Sequence, residues 1–178
     1  MSQTESQRGR AARLLDVLIP AVGVLVLVAG LLTWWRATQH DADEVVRAEL
    51  RDTVLITATS QIETMNTLDY RDVDAGLEKW QDVTTGTLHD QIVEQGTEQA
   101  PLLEDQKKIS QGHVVQAAVL DLTEDTATVI AAVEVTVQDG TDLEAEPTVK
   151  RHRYSADLVE VDGEWLLEAL EQVAVSIS

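Results

Sequence analysis

From Val17 to Trp35 the chain runs nineteen residues without a charge, VLIPAVGVLVLVAGLLTWW, and nowhere else is it so apolar. That length matches the ~20 residues, rising 1.5 Å each, that cross a bilayer core of ~30 Å. The reading is a transmembrane anchor over residues 14–36 behind a tail over residues 1–13. Arg8, Arg10 and Arg13 precede the span, whereas the residues after it are rich in acids. The positive-inside bias therefore makes the tail cytoplasmic and the C-terminal part extracytoplasmic, at the plasma membrane. Trp34 and Trp35 close the span, where aromatic rings favour the headgroup level. A cleaved signal peptide has an apolar region of about 7–15 residues and a small-residue cleavage site. Here Trp-Trp-Arg-Ala-Thr-Gln follows a longer run, so the expectation is a retained single-pass anchor.

Beyond residue 35 the sequence holds 10 Lys plus Arg against 30 Asp plus Glu, a net charge of −20. Such a surface repels phosphates, which argues against nucleic acid and against direct adhesion to anionic headgroups. There are no cysteines, so disulfides, thiolate catalysis and Cys-based zinc sites fall away. Phe is absent too. A core must be assembled from Val, Leu, Ile and Ala, with Trp80 and Trp165 as its large anchors.

Two halves of one ectodomain differ in period. Over residues 37–112 the pattern is helical: Val46, Leu50, Val54, Ala58, Ile62 and Met65 form a stripe at three- and four-residue spacing. Asn66 to Tyr70 breaks it. Asp72 or Asp74 is placed to cap a short helix carrying Leu77, Trp80 and Val83. Gly86 then ends that helix and Thr87 caps the next, which carries Leu88, Ile92 and Gln95. Gly96 and Pro101 predict a break before a last helical stretch from Leu102 to Ile109. Over residues 113–178 the period changes to two. HVVQAAVLDL predicts one strand, and TATVIAAVEVTVQD a second with Ala127, Val129, Ala131, Val133, Val135 and Val137 on one face. VKRHRYSADLVEV and EWLLEALEQV predict a third and fourth joined at Asp162-Gly163, a strong hairpin signal because both turn residues take positive φ. The expected fold is α+β, helices packed on one face of a curved four-stranded antiparallel sheet.

Candidate chemistry is sparse. Lys150-Arg151-His152-Arg153 is the densest basic run of this half, but alternation puts Arg151 and Arg153 on one face and Lys150 and His152 on the other. It is read as cross-strand pairing with acids such as Glu134 in preference to an anion-docking patch. Asp72, Asp74 and Gly76 resemble the start of a calcium loop. The glycine and bidentate glutamate that such a loop requires fall instead on Leu77 and Val83. Asp41, Asp43 and Glu44 suit a helix N-terminus better than a metal. His40, His89, His113 and His152 have no ligand-like spacing. Tyr70 with Asp69 or Asp157 offers an acid and a base whose geometry the sequence leaves open. No phosphate loop or nucleophile elbow occurs. Catalysis, cofactors and metals are therefore not expected.

The order of short motifs resembles the mammalian-cell-entry (Mce) associated membrane proteins of actinobacteria. An anchor leads to a helix, then to TLDYRDVDAGLEKWQDVTTGTLHDQI, a valine-rich strand and VEVDGEWLLEAL. The family's aspartate-tyrosine element falls on Asp69-Tyr70, its threonine-glycine turn on Thr85-Gly86, and its Asp-Gly-x-Trp hairpin on Asp162-Gly163-Glu164-Trp165. Leu88 stands where the family has Phe. The resemblance implies a nuclear-transport-factor-like (cystatin-like) cone. It also implies a non-enzymatic accessory or assembly subunit of an Mce-type lipid or sterol import system. Partners would be Mce-domain proteins with their permease and ATPase, and homo- or hetero-oligomers with related accessory proteins. Asp69, Tyr70, Trp80, Gly86, Asp162, Gly163 and Trp165 would then be structural anchors and turns. Two other roles suit the same pattern: an extracytoplasmic sensor or binding domain for a small apolar ligand, and a secretion-type membrane scaffold.

Overall fold

A computed structural model describes residues 44–173. The expected tail and membrane span lie outside the described residues, among which no helix is long and apolar enough to cross a membrane. The chain divides after Glu49 into two units. Of the first, residues 44–49 are described, and they are helical. The second holds the domain.

It opens with helix α1, residues 50–65. A two-residue strand β1 (Leu68–Asp69) and a 3-10 turn (Tyr70–Asp72) lead into α2 (Val73–Asp82) and α3 (Gly86–Gln106). Four long strands follow: β2 (Lys108–Leu122), β3 (Thr126–Asp139), β4 (Thr148–Val161) and β5 (Glu164–Gln172). They form one antiparallel sheet in sequence order, β1 to β5. Sequential hairpins need no crossover, which suits short polar connections such as Thr123–Asp125 and Asp162-Gly163. At the latter, φ is +53° for Asp162 and +90° for Gly163, the positive pair that the tight turn demands.

The core lies where α1 meets the sheet. Val54, Ala58 and Ile62, one helical stripe, are fully buried against Val129 and Val133 of β3, Leu158 of β4 and Leu167 of β5. Each such aliphatic side chain contributes about 1.5–3 kcal/mol when taken from water, so this one face supplies most of the driving force. Leu50 and Met65 extend the stripe half-buried, while Val46 is exposed.

Both outer edges of the sheet carry contacts from the rest of the domain. Along β2, the β1 backbone pairs with Ile109 and Ser110, and Thr67 Oγ1 accepts from Gly112 N at 3.1 Å. Glu63 Oε1 then accepts from Val114 N at 2.8 Å, and Arg51 donates to the Val119 carbonyl at 3.3 Å. Along β5, Gln61 donates its amide to the Trp165 carbonyl, and Leu167 exchanges backbone hydrogen bonds with Val83 and Thr85. An uncovered edge invites pairing with foreign strands, and these contacts block it at the residues they occupy.

The structure corrects several boundaries. The sheet has five strands and not four, because two-residue β1 is too short to show any alternation. Gly86 begins α3 instead of ending α2, with φ at +57° and Thr85 at the cap position. Neither Gly96 nor Pro101 breaks α3. Gly96 is buried where a Cβ would sit 3.3 Å from Leu77 Cδ1, and Ile92 and Leu103, on either side of the two, line the same α2-facing surface. Packing outweighs the ~3 kcal/mol proline penalty. The helix instead stops at Lys107, whose φ of +50° turns the chain, and β2 starts at Lys108 rather than His113. Asp72 holds the α2 cap position without a side-chain bond, whereas Asp69 caps the 3-10 turn by accepting from Arg71 N at 3.0 Å.

Candidate functional site

The seven motif residues gather at three separate places. Asp69, Tyr70 and Trp80 surround the junction of α1 and α2. Asp69 is ion-paired with Arg71, whose guanidinium bonds hold the carboxyl below its ordinary range. The Tyr70 hydroxyl donates to the Gly140 carbonyl at 3.4 Å. Trp80 Nε1 donates to the carbonyls of Thr64 and Thr67, at 2.8 and 3.3 Å, tying α2 to the end of α1. Gly86 turns into α3 beside Glu168. Trp165, 6% exposed, belongs to the α1-facing core, and Asp162 and Gly163 form the β4–β5 turn beyond it. Leu88, in the aromatic's place, packs half-buried against that core.

The acid–base pairs of the sequence are not assembled. Asp157 accepts from Thr128 Oγ1 at 2.8 Å across the outer face of the sheet, whereas Tyr70 is engaged with Gly140. Among the described residues no three His, Asp or Glu side chains cluster to hold a metal ion. His89 lies against the Gln81 carbonyl, His113 against Glu63, and His152 beside Tyr154, their rings 6.0 Å apart. Between α2 and α3 lies a depression of about 220 Å³ lined by Leu77, Trp80, Leu88, Ile92 and Leu103. That is below the ~300–1,000 Å³ usual for small-molecule sites.

The outer face of the sheet, away from α1, has more to offer. Strand alternation places Ile130, Ala132 and Glu134 of β3 there, with Arg151 and Arg153 of β4 opposite Glu134 and Ala132. Arg151 Nε donates to Glu134 Oε1 at 2.8 Å, the cross-strand pair expected from the basic run. Arg153 and Lys150 have no ion pair among the described residues. Two shallow grooves of about 540 and 410 Å³ share Ala132, Arg153 and Val173. Register shifts in β2 at Val115 and Leu120 push both side chains outward, where they are 58% and 62% exposed. A bulge re-aims a side chain in this way because the extra residue has no partner across the ladder.

The sequence reading passed over the residues that knit α1 to the sheet. Glu63 carries the Val114 amide and His113 together, and Asn66 Oδ1 accepts from the Tyr154 hydroxyl at 2.9 Å, with burial pushing that phenol's pKa up. Gln61 Oε1 and His152 Nδ1 are buried with no hydrogen-bond partner among the described residues. Gln61 interrupts the apolar stripe by a single position, and that was its available signal.

No curated protein matches the sequence. Solved structures match the fold. An IcmL-like type IV secretion system protein from Legionella pneumophila superposes with a TM-score of 0.57 at 10% identity, over 72% of this chain and 95% of that one. The periplasmic domain of DotI gives 0.56 at 13% identity, over 68% and 94%. CagV, a VirB8 homolog from Helicobacter pylori, gives 0.56 at 5% identity, over 69% and 98%. At such identities the likeness concerns the fold alone. In sequence, residues 15–174 match the family described as uncharacterized protein Rv1363c/MT1408-like. That span takes in nearly all of the chain, which therefore belongs to the Rv1363c/MT1408-like family.

Proposed function

We propose that this chain is a single-pass membrane scaffold whose acidic α+β domain works outside the plasma membrane by protein contact. Its setting is the assembly of an Mce-type lipid or sterol import system. The observation that carries the contact role is the filled interior. Val54, Ala58 and Ile62 occupy the space above the sheet at 0% exposure, so binding falls to the surface. The uncharged run at Val17–Trp35 supports the anchor, and the charge of −20 beyond it supports a protein partner over nucleic acid. The motif order that resembles Mce-associated proteins supports the import system. Proteins of the same fold include type IV secretion components, so a secretion-type scaffold is the second reading. In both readings Asp69, Tyr70, Trp80, Gly86, Asp162, Gly163 and Trp165 shape the domain and do no chemistry.

The test is affinity purification of the tagged full-length protein from its native membrane in mild detergent, followed by mass spectrometry. Co-purification of Mce-domain proteins with a permease and an ATPase is expected. Recovery of secretion-system subunits instead would transfer the role to the second reading, and recovery of neither would end both.

A further inference from the structure

We infer that the groove between α2 and α3 is a docking site for an extended segment of another protein, apolar at alternate positions and basic at the others. This rests on the protein-contact reading above and gives it a surface. Helix α3 sorts its side chains by arc. At about 100° per residue, Asp90, Glu94, Glu98, Glu104 and Asp105 fall together on one side, and the helix carries no Lys or Arg. Gln91, Gln95 and Gln99 form the next row round the helix, on the rim of the groove. Below them lies an apolar floor of Leu77, Trp80, Leu88, Ile92 and Leu103. The three glutamines are exposed. Among the described residues their side chains make one hydrogen bond, from Gln99 Nε2 to Gln95 Oε1 at 3.1 Å.

The spacing of that row indicates what fits. Four helical residues rise about 6.0 Å, close to the ~6.6 Å that two residues of an extended chain cover. Successive glutamines therefore meet every second residue of a strand laid along α3. A primary amide offers both a donor and an acceptor, so each matches the N–H and C=O that a strand presents on one edge. A helical partner uses those groups internally, and the row would gain nothing from it. The depression of about 220 Å³ is smaller than a small-molecule site but suits individual side chains, so positions pointing down call for aliphatic residues. Positions pointing up stand beside the acidic row, which calls for Lys or Arg. The charge of −20 beyond residue 35 steers the same kind of partner and repels phosphates. A second copy fits poorly, because the basic run from Lys150 to Arg153 is already a strand paired with β3.

The experiment uses the full chain in nanodiscs of neutral phosphatidylcholine and a short peptide alternating leucine and lysine, with empty nanodiscs as the blank. Affinity is measured by calorimetry, and the side-chain amide signals of Gln91, Gln95 and Gln99 are followed by NMR. Binding and a shift of those signals are expected. Replacing the three glutamines by alanine, which a helix tolerates well, should weaken binding about tenfold or more and leave the circular dichroism unchanged. Glu94→Gln together with Glu98→Gln should weaken it less and flatten its salt dependence. Two further peptides carry N-methyl groups at every second amide, one on each edge, and leave the protein untouched. The one whose blocked edge meets the glutamines should bind about tenfold more weakly than the other.

Three results would overturn the proposal. One is no binding, or equal binding by the alanine variant, which would reduce the contact to charge alone. Another is a helical conformation of the bound peptide. The third uses a photoreactive residue in place of Gln95: crosslinks formed without peptide to residues 1–43 or 174–178 of the same chain would make the chain's own end the occupant. None of these touches the co-purification test, so the two ideas fail separately.

Discussion

Strand β3 has two faces built from adjacent residues, and they obey different rules. Towards α1 stand Ala127, Val129, Ala131, Val133 and Val135, none more than 8% exposed. On the other side stand Thr128, Ile130, Ala132 and Glu134, facing Asp157, Ser155, Arg153 and Arg151 of β4. The first face is uniform in chemistry and holds the fold. The second mixes hydroxyl, aliphatic and charged groups around shallow grooves, and losing any one of them costs little.

The sharpest way to break this contrast is a pair of neighbouring substitutions. Val129→Asp should cost about 4 kcal/mol or more, because an unpaired carboxylate would enter the core, whereas Ile130→Asp should cost about 1 kcal/mol or less. Urea denaturation of both reads the difference, and similar midpoints would dissolve the two-face picture. Trp165→Ala comes next, at about 3–5 kcal/mol, since a large side chain 6% exposed would leave a cavity under α1. A melting temperature equal to the parent's would remove it from the core.

Gly140→Ala should cost about 1–3 kcal/mol. The new Cβ would lie 2.1 Å from Tyr70 Cε1 and 2.9 Å from the Lys107 carbonyl, so the 3-10 turn must shift. Tyr70→Ala in the same chain should relieve part of that cost, and strict additivity would show that the two do not touch. On the outer face, Glu134→Gln should cost about 0.2–1 kcal/mol and lose its effect in high salt, as an exposed pair with Arg151 must.

The smallest effect concerns pH. Asp139 accepts from Lys108 Nζ at 2.7 Å and from the Thr141 hydroxyl and amide, and these bonds hold its carboxyl far below the ordinary 3.8. A depressed pKa means that the folded state favours the ionised form. Its contribution is therefore present above 3.8 and fades as pH falls below that value. Asp139→Asn should flatten the acid limb of the stability curve slightly, and an unchanged limb would mean that solvent screens the pair completely.

What could be read in advance follows from how each element is specified. The valine ladder of β3 and the Asp162-Gly163 turn declare themselves, because burial on one face and positive φ each restrict the residue types allowed. The stripe of α1 does the same through Val54, Ala58 and Ile62. Strand β1 does not, since its two residues are fixed by their partners Ile109 and Ser110 and by no pattern of their own. The continuity of α3 through Gly96 and Pro101 was likewise hidden, because the reason for it lies in Leu77 on another helix. On the outer face, the split of the basic run and the Arg151–Glu134 pair were legible from alternation. The grooves were not, since they depend on where β2 bulges.

The bond from Gln61 to the Trp165 carbonyl joins residues 104 positions apart, and Tyr154 reaches Asn66 across 88. The strands pair by local hairpins, so the meander can form quickly, whereas α1 must wait for it despite being made first. During synthesis the helix is a lid without a finished vessel, its apolar stripe part-open to water until β5 has emerged. A ribosome stalled before Trp165 would release a chain whose α1 stripe is only part-sheltered, prey for proteases and aggregation alike. The order of manufacture thus sets a quality check: only a finished sheet can retire the helix that came before it.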